Sequence, residues 1–286
     1  MTLRHTQGHS EQSRTMKITG KTKICMTIGD PIEHSLSPQM HNANLEAAGL
    51  SGKYVFVAGH VALHDLESFI KGVRAMKIHF IGCTLPHKIA IMQYLDEIDE
   101  DAKKIGAVNT IINDNGILKG SNTDWLGVVT PLEKLVTLEN KTVALLGAGG
   151  AARAAVYAVT KKGAKLQIFN RTREKAQLLV DAFGGEAFSL EHLHLVKNAD
   201  IIINTTSVGM RPQVDETPLP KEFITKNHIV FDAVYTPFET KLLQDAKTKG
   251  ATIIHGTEMF VNQAAAQIML YTGQIANQDV MREAIL

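Results

Sequence analysis

Short apolar runs alternate with stretches of helical period along most of this chain, which is the mark of an α/β fold. Lys23–Ile28 reads as a strand, and Pro38–Ala48 (PQMHNANLEAA) as a helix with Ser37 at its N-cap, Pro38 in its first turn and Gly49 at its end. The pattern then predicts a strand near Lys53–Val57, a helix over Leu63–Met76, a strand over Ile78–Gly82, and helical stretches near His87–Tyr94 and Asp99–Ile105. Val108–Ile112 and Ile117–Lys119 flank Asn113-Asp114-Asn115-Gly116, whose residue types suit the positive φ of a hairpin turn. Trp125–Leu135 reads as a helix leading into the second half.

The pattern changes at Lys141. TVALLGAGGAARAAVYAVTKKGAKLQIFNRT is an apolar strand, a glycine turn, a helix of small residues, a Gly and a second buried strand, together one βαβ unit. Asp200–Asn204, Ile229–Asp232 and Thr252–His255 add further buried strands, so a parallel sheet is expected. From Gly256 the chain turns helical with no strand left to pair, and this segment can complete either half.

Composition adds bounds rather than chemistry. At 286 residues, 44% hydrophobic and 21% charged, the chain has material for two cores. Thirty Lys+Arg against 29 Asp+Glu leave a net charge of +1, so nucleic acid and membrane are not expected partners and any anion site must be local. Cys25 and Cys83 lie inside apolar strand-like runs and read as buried free thiols. Residues 1–15 are polar, without an apolar leader, and read as a frayed tail that gives His5 and His9 no role; a cytoplasmic location is expected. His60/His64 and His192/His194 lack a third partner at zinc spacing, so no metal site is expected. His87, beside Lys88, either touches a pocket or supports the fold.

Gly147-Ala148-Gly149-Gly150-Ala151-Ala152 matches G-x-G-x-x-A directly between a strand and a helix, the context in which the motif binds a dinucleotide. Gly147 permits the tight turn, Gly149 lets the backbone approach a pyrophosphate, and Ala152 allows close helix–strand packing. An NAD site usually carries Asp or Glu at the end of the next strand. Here that strand ends in Asn170-Arg171-Thr172-Arg173-Glu174-Lys175, and Arg171 with Lys175 offers a cationic clamp for a 2′-phosphate, so NADP(H) is the expected cofactor.

Three stretches of the first half concentrate polar residues. Ser35 and Ser37 put hydroxyls beside a helix N-terminus, Thr84-Leu85-Pro86-His87-Lys88 puts a lysine at a strand's carboxyl end, and Asn109-Thr110 with Asn122-Thr123-Asp124 adds amides and a carboxylate near the junction of the halves. Taken singly, Lys88 reads as a snorkelling surface lysine and Asp124 as the N-cap of the helix from Trp125.

Together with the glycine turn these stretches resemble the shikimate dehydrogenase family. SLSPQMHN (35–42), TLPHK (84–88), GAVNT (106–110), SNTDWLG (121–127), GAGGAAR (147–153), NRT (170–172), NTTSVGM (204–210), DAVYTPFET (232–240) and the helix bearing Gln263 stand in the family's order. The resemblance implies NADPH-dependent, reversible reduction of 3-dehydroshikimate to shikimate, a step towards chorismate and the aromatic amino acids. It implies that Ser35, Ser37, Thr84, Lys88, Asn109, Asp124, Tyr235 and Gln263 contact substrate. On the cofactor side it implies Gly147 to Ala151, Asn170 to Lys175, backbone near Ala233 and Gly256, and Glu100 as a weaker contact. The implied fold is α/β with two domains: a substrate-binding domain of residues 16–124 completed by the helices of 256–286, and a Rossmann NADP-binding domain of residues 125–255. The expected ligands are small molecules, and the protein a monomer or homodimer.

Oxidising a secondary alcohol needs one positioned acid–base group. Lys88 and Asp124 are the candidates; the carboxylate favours the ammonium form while desolvation opposes it. We assign proton donation in the reductive direction to Lys88, with Asp124 orienting it and holding a substrate hydroxyl. Quinate or dual quinate/shikimate activity is the nearest alternative, and a silent NADP(H) sensor the one from another class. Asn170-Arg171-Thr172 argues against NAD-linked quinate chemistry, and the presence of both Lys88 and Asp124 against silence. Three positions depart from the family pattern: Cys83 for the usual Val, Trp125 where Gly is frequent, expected to bear on the pocket or hinge, and Glu258, expected near the nicotinamide end.

Overall fold

The computed structural model describes residues 18–286, so the expectations for residues 1–15 lie outside it. Two six-stranded sheets are built from β1 (Lys23–Gly29), α1 (Ser37–Ala47), β2 (Tyr54–His60), α2 (Leu66–Met76), β3 (Phe80–Cys83), α3 (His87–Ala90), β4 (Glu97–Ile98), α4 (Glu100–Ile105), β5 (Thr110–Asp114), β6 (Ile117–Ser121) and α5 (Asp124–Glu133). There follow β7 (Thr142–Leu146), α6 (Gly150–Lys161), β8 (Lys165–Phe169), α7 (Arg173–Phe183), β9 (Glu186–Phe188), β10 (Ile201–Asn204), β11 (Ile229–Asp232), α8 (Lys241–Thr248), β12 (Thr252–Ile254), α9 (Gly256–Thr272) and α10 (Gln278–Glu283).

The second sheet is wholly parallel, with the order β12-β11-β10-β7-β8-β9. That is the doubly wound order of a Rossmann fold, whose direction of winding reverses between β7 and β10, the place where such sheets open a ligand crevice at the strands' carboxyl ends. The first sheet, β2-β1-β3-β5-β6-β4, is mixed: β1 runs parallel to β2 and β3, whereas β5 is antiparallel both to β3 and to its hairpin partner β6. Asn115 (φ 53°) and Gly116 (φ 99°) make the hairpin turn with the positive φ expected of these residue types.

The segment after Gly256 belongs mainly with the first sheet. Val261, Ala264, Ile268, Tyr271 and Met281 of α9 and α10 share a core with Cys25, Met40, Phe56 and Phe80. α9 also lies against α5, where Gly127 permits the approach: a methyl group there would stand 2.6 Å from the Met259 carbonyl oxygen. Cys25 and Cys83 are buried free thiols. Among the described residues no helix is long and apolar enough to cross a membrane.

Several local expectations need correction. Ser37 is the first residue of α1 rather than its N-cap; Leu36 takes that place without a side-chain cap, and the Ser37 N–H donates to Ser35 Oγ at 3.3 Å. The helix expected from Leu63 begins with a 3-10 turn, Leu63–Asp65, and the one from His87 loosens into 3-10 geometry at Ile91–Tyr94. β4 and β9, two and three residues long, are too short to show a period, and α8 carries its apolar residues at only Leu242, Leu243 and Ala246.

Candidate active site

The carboxyl ends of β1, β3 and β11, the residue before β5, the start of α6 and the first turns of α9 enclose a cavity of about 430 Å³ between the two sheets. Its walls include Ser35, Ser37, Thr84, Lys88, Asn109, Asp124, Tyr235 and Gln263, all the positions expected to contact substrate. Ala151, Ala233 and Gly256 from the cofactor side line it as well.

Lys88 and Asp124 form its centre. Lys88 Nζ lies 2.6 Å from Asp124 Oδ2, and both side chains are largely buried. Asn109 Nδ2 donates to Asp124 Oδ1 at 2.8 Å, so each carboxylate oxygen has its own donor. Asn109 is held in turn: its Oδ1 accepts from the Thr123 N–H (2.8 Å) and from Thr110 Oγ1 (2.7 Å), and its Nδ2 also reaches Thr123 Oγ1 at 3.1 Å. The carbonyl of Lys88 accepts from the Val108 N–H at 2.8 Å, which ties the lysine's backbone to the segment that carries Asn109 into β5. α5 starts at Asp124 and its N-cap position is Thr123, so the carboxylate serves Lys88 and Asn109 instead of capping the helix. An ammonium has three donors and one is used here, which leaves others for a ligand in the cavity.

Cys83 sits behind this pair; burial pushes its thiol up to about 12, against the pull of Lys88. Burial also raises Tyr235, again against Lys88, and its ring stacks on Phe260 with centroids 4.9 Å apart. His87 faces away from the cavity, fully buried, with Nε2 2.7 Å from the Val61 carbonyl, so its part is structural.

The glycine turn stands at the switch point. Gly147 has φ 106°, and a methyl group on it would lie 2.9 Å from both Thr205 Oγ1 and Thr206 Cγ2, so glycine is required there. Around Gly149 nothing lies within 4 Å of a methyl group, which leaves the backbone at the start of α6 open to a ligand. Ala148 and Gly150 complete the turn, and Ala152 is buried against the sheet. The Gly147 N–H donates to the Phe169 carbonyl, which sets Asn170 beside the turn. Arg171, Thr172 and Lys175 are exposed there, and among the described residues neither Arg171 nor Lys175 has an acidic partner within ion-pair distance. Asn170 Nδ2 donates to the Thr172 carbonyl, and Arg173 Nε to that of Ala187, which ties α7 to β9. This open backbone, the free cations and the lack of a carboxylate after β8 fit a phosphorylated dinucleotide.

Other expected residues lie elsewhere. Glu100 is exposed, pairs with Lys103 at 2.8 Å and lies outside the cavity wall. Glu258 is turned to α10, where both its oxygens pair with Arg282 at 2.6 and 3.0 Å, while its neighbours Met259 and Phe260 line the cavity. Trp125 points away from the cavity: its ring meets Tyr157 edge-on at 5.8 Å, with Lys161 Nζ 4.4 Å from its centroid.

Gln267 was not singled out in the sequence, and Met210 only as the last residue of a quoted motif. Gln267 lines the cavity and donates to Thr110 Oγ1 at 3.1 Å. Its position four residues after Gln263, one helical turn on, is a signal that was available. Met210 reaches the cavity from a loop, for which periodicity has no signal.

A Rossmann sheet with its glycine turn open to a cleft, facing a second sheet that presents a paired lysine and aspartate, defines a two-lobed dinucleotide-dependent oxidoreductase. Family models place it more narrowly. The shikimate dehydrogenase substrate-binding domain matches residues 27–111, shikimate/quinate 5-dehydrogenase residues 131–215, and the shikimate 5′-dehydrogenase C-terminal domain residues 256–286. The chain is 40% identical over 278 residues to the shikimate dehydrogenase (NADP(+)) of Caldanaerobacter subterraneus, covering 94% of this chain and 99% of that one. It is 42% identical over 272 residues to that of Bacillus subtilis, covering 92% and 96%. The crystal structure of Thermus thermophilus shikimate 5-dehydrogenase in complex with NADP(H) and shikimate superposes with a TM-score of 0.86 at 34% identity, over 92% of this chain and 98% of that one. The chain belongs to the shikimate dehydrogenase family.

Proposed function

We propose that this chain catalyses the reversible, NADPH-dependent reduction of 3-dehydroshikimate to shikimate, in the route to chorismate and the aromatic amino acids. The observation that carries this reading is the buried Lys88–Asp124 pair at 2.6 Å, in a cavity whose walls also include Ser35, Ser37 and Ala151 of the glycine turn. Its position supports a reacting carbon held between an acid–base group and the dinucleotide.

Ser35 and Ser37 bind the substrate carboxylate from one end of the cavity. Thr84, Asn109, Tyr235 and Gln263 hold the ring hydroxyls. Lys88 donates a proton from Nζ to the carbonyl oxygen as negative charge develops on it, and takes that proton back in the oxidative direction. Asp124 keeps the ammonium aimed and accepts a hydrogen bond from a substrate hydroxyl, with Asn109 fixing its second oxygen. Bound NADPH supplies the hydride. The glycine turn, Gly147 to Ala151, would hold its pyrophosphate at the start of α6, Arg171 and Lys175 its 2′-phosphate, and the backbone at Ala233 and Gly256 its nicotinamide end.

Residues 16–124 with 256–286 then form the substrate-binding domain and 125–255 the NADP-binding domain. The sharing of one core by α9, α10 and the first sheet supports this division. We place the enzyme in the cytoplasm, a reading supported by two buried free thiols. Loss of reduced-nicotinamide absorbance tests the function directly. Addition of 3-dehydroshikimate to chain and NADPH is expected to start turnover; tight NADPH binding without turnover would mark a sensor.

A further inference from the structure

We propose that Asp232 is a positioning residue for the reaction, its buried carboxylate fastening together the two loops that close the cavity over the junction of substrate and cofactor. The inference rests on the reading of that cavity as the site of reduction.

Asp232 ends β11 and is fully buried. Its Oδ2 accepts from Thr240 Oγ1 at 2.6 Å, and its Oδ1 from the Val234 N–H at 3.0 Å and from Asn204 Nδ2 at 2.8 Å. The first two partners stand at the two ends of the loop that runs from Ala233 to Thr240, so one carboxylate clasps that loop at both ends. Between them lies Tyr235, which with Ala233 lines the cavity. The third partner leads to the other loop. Asn204 Oδ1 accepts from the Thr206 N–H at 2.9 Å and from Thr206 Oγ1 at 2.7 Å, and the Thr206 methyl abuts Gly147 of the glycine turn. Further along this loop, Met210 reaches the cavity.

The clasped loop is also pressed from outside. A methyl group on Gly256 would lie 2.3 Å from the Val234 carbonyl oxygen, so the first residue of α9 sits directly on the backbone that Asp232 holds. All three partners of Asp232 are uncharged, and burial lifts its carboxyl to about 6 although each hydrogen bond pulls it down. A buried carboxylate without a cation is costly unless its acceptors are filled. Here they are filled by the two loops that carry Tyr235 and the support of the glycine turn.

The test compares Asp232→Ala and Asp232→Asn by hydrogen exchange, kcat and KM, all measured well below the melting temperature. With Asp232→Ala, exchange is expected to rise in 205–210 and 233–240 while β7 and β10 stay protected, and kcat to fall roughly 10- to 100-fold, as misplacement of a site by a remote change does. Asp232→Asn keeps an oxygen for Asn204 and Val234 and is expected to recover most of the kcat. If Asp232→Ala does not fold, Thr240→Val removes one of the three donors and should show the same exchange pattern with a smaller loss of kcat. Wild-type kcat in the folded variant, or a rise in exchange spread evenly over the second sheet, would overturn the proposal. If the wild-type chain itself does not turn over, the functional reading fails, and the exchange pattern still decides whether Asp232 holds these loops.

Discussion

Lys88 Nζ and Asp124 Oδ2 meet at 2.6 Å although the two residues belong to different elements, α3 and α5, and stand 36 positions apart. The contact gives the lysine one fixed direction and leaves its remaining donors to the cavity. Lys88→Met keeps the length of the side chain and removes the proton. It is expected to lower kcat by about 10²-fold or more with little change in KM, the signature of an interaction made in the transition state. Steady-state kinetics on the folded variant check this; a kcat near that of the wild type would remove Lys88 from the proton transfer.

Arg171 is exposed just after β8, where the proposed function puts the 2′-phosphate that distinguishes NADP from NAD. Arg171→Ala is expected to raise KM for NADP+ roughly 10- to 100-fold, the size of a lost charge-assisted hydrogen bond, and to leave KM for NAD+ within about threefold. Equal effects on the two cofactors would show that the arginine acts on something they share.

How far the sequence revealed this site depended on whether neighbouring residues carried the signal. Gly147 to Ala152 was legible because strand, turn and helix are contiguous, and the turn's chemistry is local. Ser35, Thr84, Lys88 and Asp124 were legible as polar clusters, but their meeting in one cavity came from the order of the family's motifs and not from periodicity. Glu258 was misjudged because its partner, Arg282, lies 24 positions away on α10, and no local rule foretells that pairing. Ser37 looks like a helix cap by composition, yet α1 begins one residue earlier than that reading requires and leaves its hydroxyl on the cavity wall.

Trp125 departs from the family pattern, and its ring joins α5 to α6 through Tyr157 and Lys161. Asp101 on α4 accepts from both Tyr157 Oη and Lys161 Nζ, so the cluster also bridges towards the first sheet. Trp125→Ala is expected to destabilise the protein by about 1–3 kcal/mol, from lost aromatic packing and a partly exposed cation–π contact. Because the ring faces away from the cavity, KM for shikimate should change less than about threefold. Denaturant unfolding together with kinetics separates the two effects; a large KM change without loss of stability would place Trp125 in the pocket.

His41 is buried against Phe56, with ring centroids 3.9 Å apart and Nδ1 3.2 Å from Tyr271 Oη. Burial pushes it down to about 3, so the folded protein keeps it neutral where the unfolded chain would protonate it. The resulting stability is fully present above about pH 6.5 and is lost as pH falls towards 3, by roughly 1.4 kcal/mol per pH unit. Asp232, raised by burial to about 6, works in the opposite sense between about pH 4 and 6, where the folded state holds its proton longer. The difference between wild type and His41→Phe isolates the histidine: the variant's stability should fall less steeply on acidification from pH 6.5. Parallel stability curves would show that His41 is not the titrating group.

Initial rates with shikimate and with quinate, each offered with NADP+ and with NAD+, test the central claim most directly. Fast turnover of shikimate with NADP+, at least roughly tenfold above the other three combinations and lowered about 10²-fold or more in Lys88→Met, is the predicted result. Preferred turnover of quinate with NAD+, or none with any combination, would contradict it.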